Sequence, residues 1–315
     1  MCICKKKKKK EKEVSIWTPN TAYEKWASDI WKKGIAGLKA EFKTIEKWTP
    51  ENATFTAATA NNDTSPHKCQ DRGRVSMDHT NGAYPYYSAN RVQIDKESFN
   101  LICASQPTKE TAAAFWAMLV KHDNTVYAFN NCFCPTNENK TVTFGQPPNV
   151  IKVTFNKEFT YEEEGIYDEA EHTCKRVLVT VESPFGPPKQ VKVRDIVGFE
   201  GADYYIHGGR DYNEENMKDK QLFIVANDAG YGSMLAAFEY VAWNFDKKDR
   251  MPMTELVKEL RRQRFGSIAT EQQYLFLHNE LIEFCMRGTL YCSNENWVKW
   301  KKDYENYEPK MKTNP

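Results

Sequence analysis

A chain of 315 residues, 40% hydrophobic, 13% aromatic and 28% charged, is long enough for one large domain or two modest ones, and this composition excludes a disordered or fibrous protein. No run approaches the roughly 18 consecutive apolar residues of a membrane span, and the first thirteen residues lack the apolar stretch of a secretory signal, which predicts a cytoplasmic protein. The net charge of +1 is unevenly spread: MCICKKKKKKEKE holds seven lysines and two glutamates, a charge of +5, so the remainder carries −4. The basic charge is therefore a tail rather than a groove, which argues against nucleic acid as the main partner.

In that tail Cys2 and Cys4 directly precede Lys5, Lys6, Lys7, Lys8, Lys9 and Lys10. Stable membrane anchoring needs two signals, such as acyl chains and a polybasic patch, and each lysine near an anionic leaflet contributes about 1 kcal/mol. Two readings stand: S-acylation at Cys2 and Cys4 that holds the tail at the inner face of a membrane, or a solvated lysine run. Residue 2 is not glycine, which excludes myristoylation. The nine cysteines are odd in number and contain no CxxC pair, as expected of a reduced compartment. Cys132 and Cys134 lack a second pair at finger spacing and read as ordinary thiols, so no metal and no cofactor is expected.

Beyond the tail, Trp26, Ile30, Trp31, Leu38, Phe42 and Ile45 recur at helical spacing around Gly34 and Gly37, predicting one or two amphipathic helices that end by Thr49-Pro50. Residues 51–82, rich in Asn, Thr, Asp and Gly, read mainly as loop. Strands are predicted around 101–103, 125–129, 150–155, 177–181 and 222–226, where β-branched and aromatic residues sit between turn signals. Residues 111–121 form a helix candidate, and MLAAFEYVAW (234–243) is apolar almost all round, as a helix buried in the domain centre would be. A further helix begins at Thr270, whose spacing to Gln273 makes a T-x-x-Q capping box. Near the end, Trp297, Trp300, Tyr304 and Tyr307 form a helical aromatic stripe, read as packing on the N-terminal helices or as a docking face. The predicted class is α/β (α+β), a central mixed twisted sheet flanked by helices. Its expected parts are a tail at 1–13, one domain at 14–292 and a C-terminal helix or tail at 293–315.

Four segments appear in a telling order: CQDRGRV (69–75), YYSANRV (86–92), LICASQPTKETAAAFWAML (101–119) and ELVKELRRQRFGSIATEQQYLFLHNELIEF (255–284). Together they resemble the classical protein tyrosine phosphatase domain family across roughly residues 26–290, and the divergence is similar to that of nematode phosphatase-like domains. The resemblance implies a loop HCxxGxxR between a strand and a helix. There, backbone N–H groups and the helix dipole cradle phosphate, the cysteine thiolate attacks phosphorus, and the arginine grips the phosphoryl oxygens. An Asp on a WPD loop would serve as general acid.

The corresponding strand, turn and helix here read FIVANDAGYGSML. Ala226 stands at the His position, Asn227 at the nucleophile and Ser233 at the arginine, while Gly230 and Gly232 keep a turn possible. No cysteine in the chain has an arginine six residues on. The acid-loop positions fall on Phe199, Glu200 and Gly201, with Glu200 or Asp203 as the nearby carboxylate, the substrate-stacking tyrosine position on Thr64, and the earlier of the family's two closing glutamines on Ala269; only the later one is retained, as Gln273. Each lost arginine contact costs on the order of 1.5 to 3 kcal/mol. The Asp228 carboxylate would repel a phosphate charge at ~4 Å by roughly 4 kcal/mol at an effective dielectric near 20.

These replacements predict a catalytically inactive phosphatase-like domain that serves as a protein-binding scaffold or regulator in tyrosine-phosphorylation signalling, with a kinase or a phosphoprotein as partner. One alternative is residual or unorthodox phosphatase activity, with Asp228 as an aspartyl nucleophile; Asp228 also reads as a helix cap. His207-Gly-Gly-Arg-Asp211 reads as a polar turn. A membrane-recruited adaptor, working through the acylated tail, is the third reading.

Overall fold

The computed structural model describes residues 22–61, 63, 68–93, 100–122, 124–129, 140–158, 174–196, 221–226, 229–244, 252–286 and 295–307. Among these, helix α1 (Ala22–Lys43) carries the predicted aromatic and aliphatic stripe and bends at Gly34, whose φ of +63° breaks the helical run. Ile30, Trp31, Leu38, Phe42 and Ile45 are all buried. The described residues of the span 51–82 are mostly loop as expected, although a short helix α2 (Thr56–Ala60) and one 3-10 turn (Asp78–Thr80) interrupt them. No local side chain caps α2; its first N–H groups are accepted instead by the distant Asp71 carboxylate, from Thr56 at 2.9 Å and Ala57 at 3.0 Å.

Among the described residues eight strands form one sheet: β1 (Ala89–Gln93), β2 (Asn100–Ser105), β3 (Asn124–Phe129), β4 (Lys140–Phe144), β5 (Ile151–Glu158), β6 (Cys174–Ser183), β7 (Gly186–Ile196) and β8 (Gln221–Ala226). Their order is β1-β2-β8-β3-β7-β6-β5-β4. The four central strands β2, β8, β3 and β7 run parallel, and the pairs on either side are antiparallel. The five predicted strands are all present. Strands β1, β4 and β7 are additional; β7 opens on Gly186-Pro187-Pro188, which reads as a turn.

The period-two alternation of the central strands sends side chains into two cores. Leu101 and Cys103 of β2 and Ile224 of β8 join a cluster with α1, α4 (Ala229–Asn244), α5 (Met253–Gln263), α6 (Glu271–Met286) and α7 (Glu295–Tyr307). Ile102, Ala104, Phe223 and Val225 face the other way, onto α3 (Ala112–Val120) and the valines of β5 to β7. Every residue of α3 is buried, which explains its unbroken apolar sequence. The stripe on α7 packs against α1: the rings of Trp31 and Trp297 lie 6.1 Å apart, and Trp300 and Tyr304 are buried in the same cluster. No helix among the described residues is long and apolar enough to cross a membrane.

Candidate functional site

The site is assembled where parallel strands end. Strand β8 lies between parallel β2 and β3, and the chain leaving its C-terminal end enters α4 two residues later. This is the crevice outside the carboxyl ends of parallel strands, where ligands of open α/β sheets bind. Gly230, Gly232 and Ser233 all fall in the opening turns of α4. The Cys103 thiol reaches toward the Gly232 carbonyl at 4.0 Å, so β2 supports the helix start from beneath.

Ser233 occupies the position where the resemblance places a phosphate-gripping arginine. Its side chain is 1% exposed, and its Oγ accepts the backbone N–H of Ile268 at 3.0 Å. Ile268 is fully buried and has a φ of +49°, a conformation a β-branched residue adopts only under constraint. The constraint is visible. Arg261, buried on α5, donates Nε to the Ser267 carbonyl at 3.0 Å and Nη2 to the Ile268 carbonyl at 2.8 Å. Its Nη1 donates to the Trp48 carbonyl at 3.0 Å and to that of Ile45. One guanidinium thus ties the turn after α1 to the loop facing Ser233, with the donors of a rigid fork matched to four carbonyls.

Gln273 makes the reciprocal capping box. Its Oε1 accepts the N–H of Thr270 at 3.2 Å and of Ala269 at 2.7 Å, while Thr270 Oγ1 accepts the N–H of Gln273 at 3.2 Å. Its carbonyl oxygen therefore holds the start of α6.

The described thiols beside an arginine are Cys69 and Cys103. Arg264, buried, donates Nη1 to the Cys103 carbonyl at 2.6 Å and lies 3.5 Å from Asn90 Oδ1. The Cys69 Sγ is 3.3 Å from the same Asn90 oxygen and 3.5 Å from the Ala89 carbonyl. Burial pushes the Cys69 thiol up despite Arg264, and pushes Cys103 to about 11. A nucleophilic cysteine needs the opposite shift and an open approach. Both thiols are held protonated inside the fold.

Sequence reasoning passed over Arg261 and Arg264. Both lie in a charged stretch with the spacing of an amphipathic helix, where arginine reads as solvated. Of the other positions that the sequence singles out, Ala226 ends β8, whereas Asn227, Asp228, Phe199, Glu200, Gly201, Asp203, Thr64, Cys132, Cys134, the 207–211 run, Cys2, Cys4 and Lys5 to Lys10 lie outside the described residues.

Comparison with known proteins agrees with this fold. The family described as protein-tyrosine phosphatase matches residues 59–181 and 202–283. Solved structures similar to the chain include the Trypanosoma cruzi protein tyrosine phosphatase TcPTP1, with a TM-score of 0.67 at 11% identity over 82% of this chain and 94% of that one. The Trypanosoma brucei protein tyrosine phosphatase TbPTP1 gives 0.64 at 15% identity, covering 81% and 93%. A structure of PTPN18, described as showing its fingerprint on distinct HER2 tyrosine phosphorylation sites, gives 0.62 at 13% identity, covering 84% and 99%. At such identities the likeness is one of fold. Among curated proteins none matches the chain.

Proposed function

The chain belongs to the protein-tyrosine phosphatase family, and we propose that within it this is a catalytically inactive member that acts by binding protein. The observation that carries the reading is Ser233. At the position of the phosphate-gripping arginine stands a short hydroxyl, buried and already engaged by the Ile268 N–H. Asn227 at the nucleophile position has no thiolate to offer, and no cysteine in the chain has an arginine six residues on. Cys69 and Cys103 do not substitute, because burial holds both thiols protonated.

What survives is the frame. The capping box of Thr270 and Gln273, the carbonyl clamp of Arg261 and the packed α4 keep the loops in register without the reactive groups. A retained frame with replaced chemistry suits a scaffold or regulator in tyrosine-phosphorylation signalling, with a kinase or a phosphoprotein as partner. The tail, through Cys2, Cys4 and six lysines, would bring such a scaffold to an anionic membrane surface once acylated.

Titration with phosphotyrosyl and unphosphorylated forms of the same peptides tests the reading. Any preference for the phosphorylated form is expected to survive changes at Asn227 and Ser233, because the charged contacts that would create it at that loop are gone. Phosphate-dependent binding abolished by changes at Asn227 or Ser233 would contradict it.

A further inference from the structure

Away from the degenerate loop, the turn after α1 and the segment 70–72 border a half-open cavity of about 310 Å³ against α5. Trp48, Glu51, Asn52, Gln70, Arg72 and Arg262 are among its lining residues. That volume accommodates a small ligand or a single charged side chain with its neighbours.

Its walls are tied to one another. Arg261 holds the turn through the Trp48 carbonyl at 3.0 Å. Gln70 Nε2 donates to the Arg262 carbonyl at 2.7 Å, joining the 70–72 segment to α5. The Asp71 N–H donates to the Thr54 carbonyl at 2.8 Å, and the Asp71 carboxylate caps α2. The cavity is thus preformed, which removes much of the ordering cost of binding.

The two guanidiniums differ in a useful way. Arg262 is fixed: Nη1 donates to Glu259 Oε2 at 2.9 Å, and the guanidinium carbon lies 5.2 Å from the centroid of the Trp48 ring. That bond uses one of its five N–H donors. Arg72 is exposed, and among the described residues its guanidinium takes no hydrogen bond or ion pair. A fixed and an uncommitted guanidinium on one preformed cavity, where Glu51 brings the one carboxylate among the described lining residues, form an arrangement suited to oxyanions.

We propose that this cavity is an anion-binding site that takes a phosphoryl or dicarboxylate group on Arg72 and Arg262. The site is separate from the loop at 227–233 and does not rest on the reading given for it. Inorganic phosphate and succinate, titrated at constant ionic strength into the ¹⁵N-labelled full chain, are the probes. Saturable shifts of the Arg72 and Arg262 Nε and Trp48 indole resonances are expected, and the tighter of the two probes identifies the preferred anion. Arg72→Gln should weaken binding about tenfold or more, given the strength of charge-assisted hydrogen bonds, while Arg72→Lys should retain part of it. Because Arg72 is exposed, unchanged thermal unfolding of Arg72→Gln is expected and keeps the loss attributable to the site. Shifts reproduced by chloride, absence of saturation across the millimolar range, or binding indifferent to Arg72→Gln would each overturn the proposal.

Discussion

The hydroxyl of Ser233 and the backbone N–H of Ile268 meet at 3.0 Å in the interior of the protein, joining the first turns of α4 to the loop before α6. In a phosphate-binding loop that face of the helix would present an arginine to ligand. Here it presents a hydroxyl to the protein itself. Ser233→Ala leaves the buried Ile268 N–H without its acceptor and should cost about 1 to 3 kcal/mol in denaturant unfolding. Ser233→Arg should cost more, because a larger cation would have to be accommodated at a buried position. Unchanged stability in Ser233→Ala would show that the bond contributes nothing.

Gln273 serves the helix cap. Thr270→Ala and Gln273→Ala should each destabilise by about 1 kcal/mol, and the double variant should lose less than the sum of the two, since both remove one reciprocal pair. A double-mutant cycle by chemical unfolding reads this coupling.

Acid should loosen the helical layer. His278 is fully buried, stacked on Trp26 with ring centroids 5.9 Å apart, and its Nδ1 donates to the Tyr274 carbonyl at 2.8 Å. Its Nε2 has no partner among the described residues. Burial lowers its pKa to about 4, with Glu41 opposing and Lys33 reinforcing the shift. His122 is likewise lowered to about 4 by burial. Because the unfolded chain takes up these protons first, near pH 6.5, stability falls as the pH drops from about 6.5 toward 4. The expected loss is on the order of 3 kcal/mol for His278. Unfolding measured across that range should be flatter in His278→Gln than in the parent chain.

Trp300 anchors α7. It is buried, and its indole Nε1 donates to Asn279 Oδ1 at 3.2 Å on α6. Trp300→Ala should cost about 3 to 5 kcal/mol, and deletion of residues 293–315 should lower the unfolding midpoint together with it. A deletion that leaves the midpoint unchanged would return the aromatic stripe to the role of a docking face.

Much of this fold was legible because its core strands and helices bury apolar runs. Leu101 to Cys103, Leu222 to Ala226 and the α4 sequence announce themselves, and the T-x-x-Q spacing placed the α6 cap where the hydrogen bonds now lie. Strand β7 was hidden by its opening prolines, whereas the short edge strand β4, Lys140–Phe144, does carry the alternation and β-branched residues of a strand and was passed over for its brevity. The candidate site was legible in the sequence as a set of replaced and retained groups, of which Ala226, Gly230, Gly232, Ser233, Ala269 and Gln273 fall among the described residues. How these groups are held was not, since a buried Ser233, a φ of +49° at Ile268 and the four carbonyls held by Arg261 depend on contacts between segments distant in sequence.

Released phosphate measures most directly whether the proposed inactivity holds. The full chain, incubated at high concentration with phosphotyrosyl peptides and with para-nitrophenyl phosphate, is predicted to release phosphate no faster than buffer. Asn227→Ala and Cys69→Ser are predicted to leave that baseline unchanged. A hydrolysis rate above buffer that either variant abolishes would contradict the claim and assign the chemistry to the residue removed.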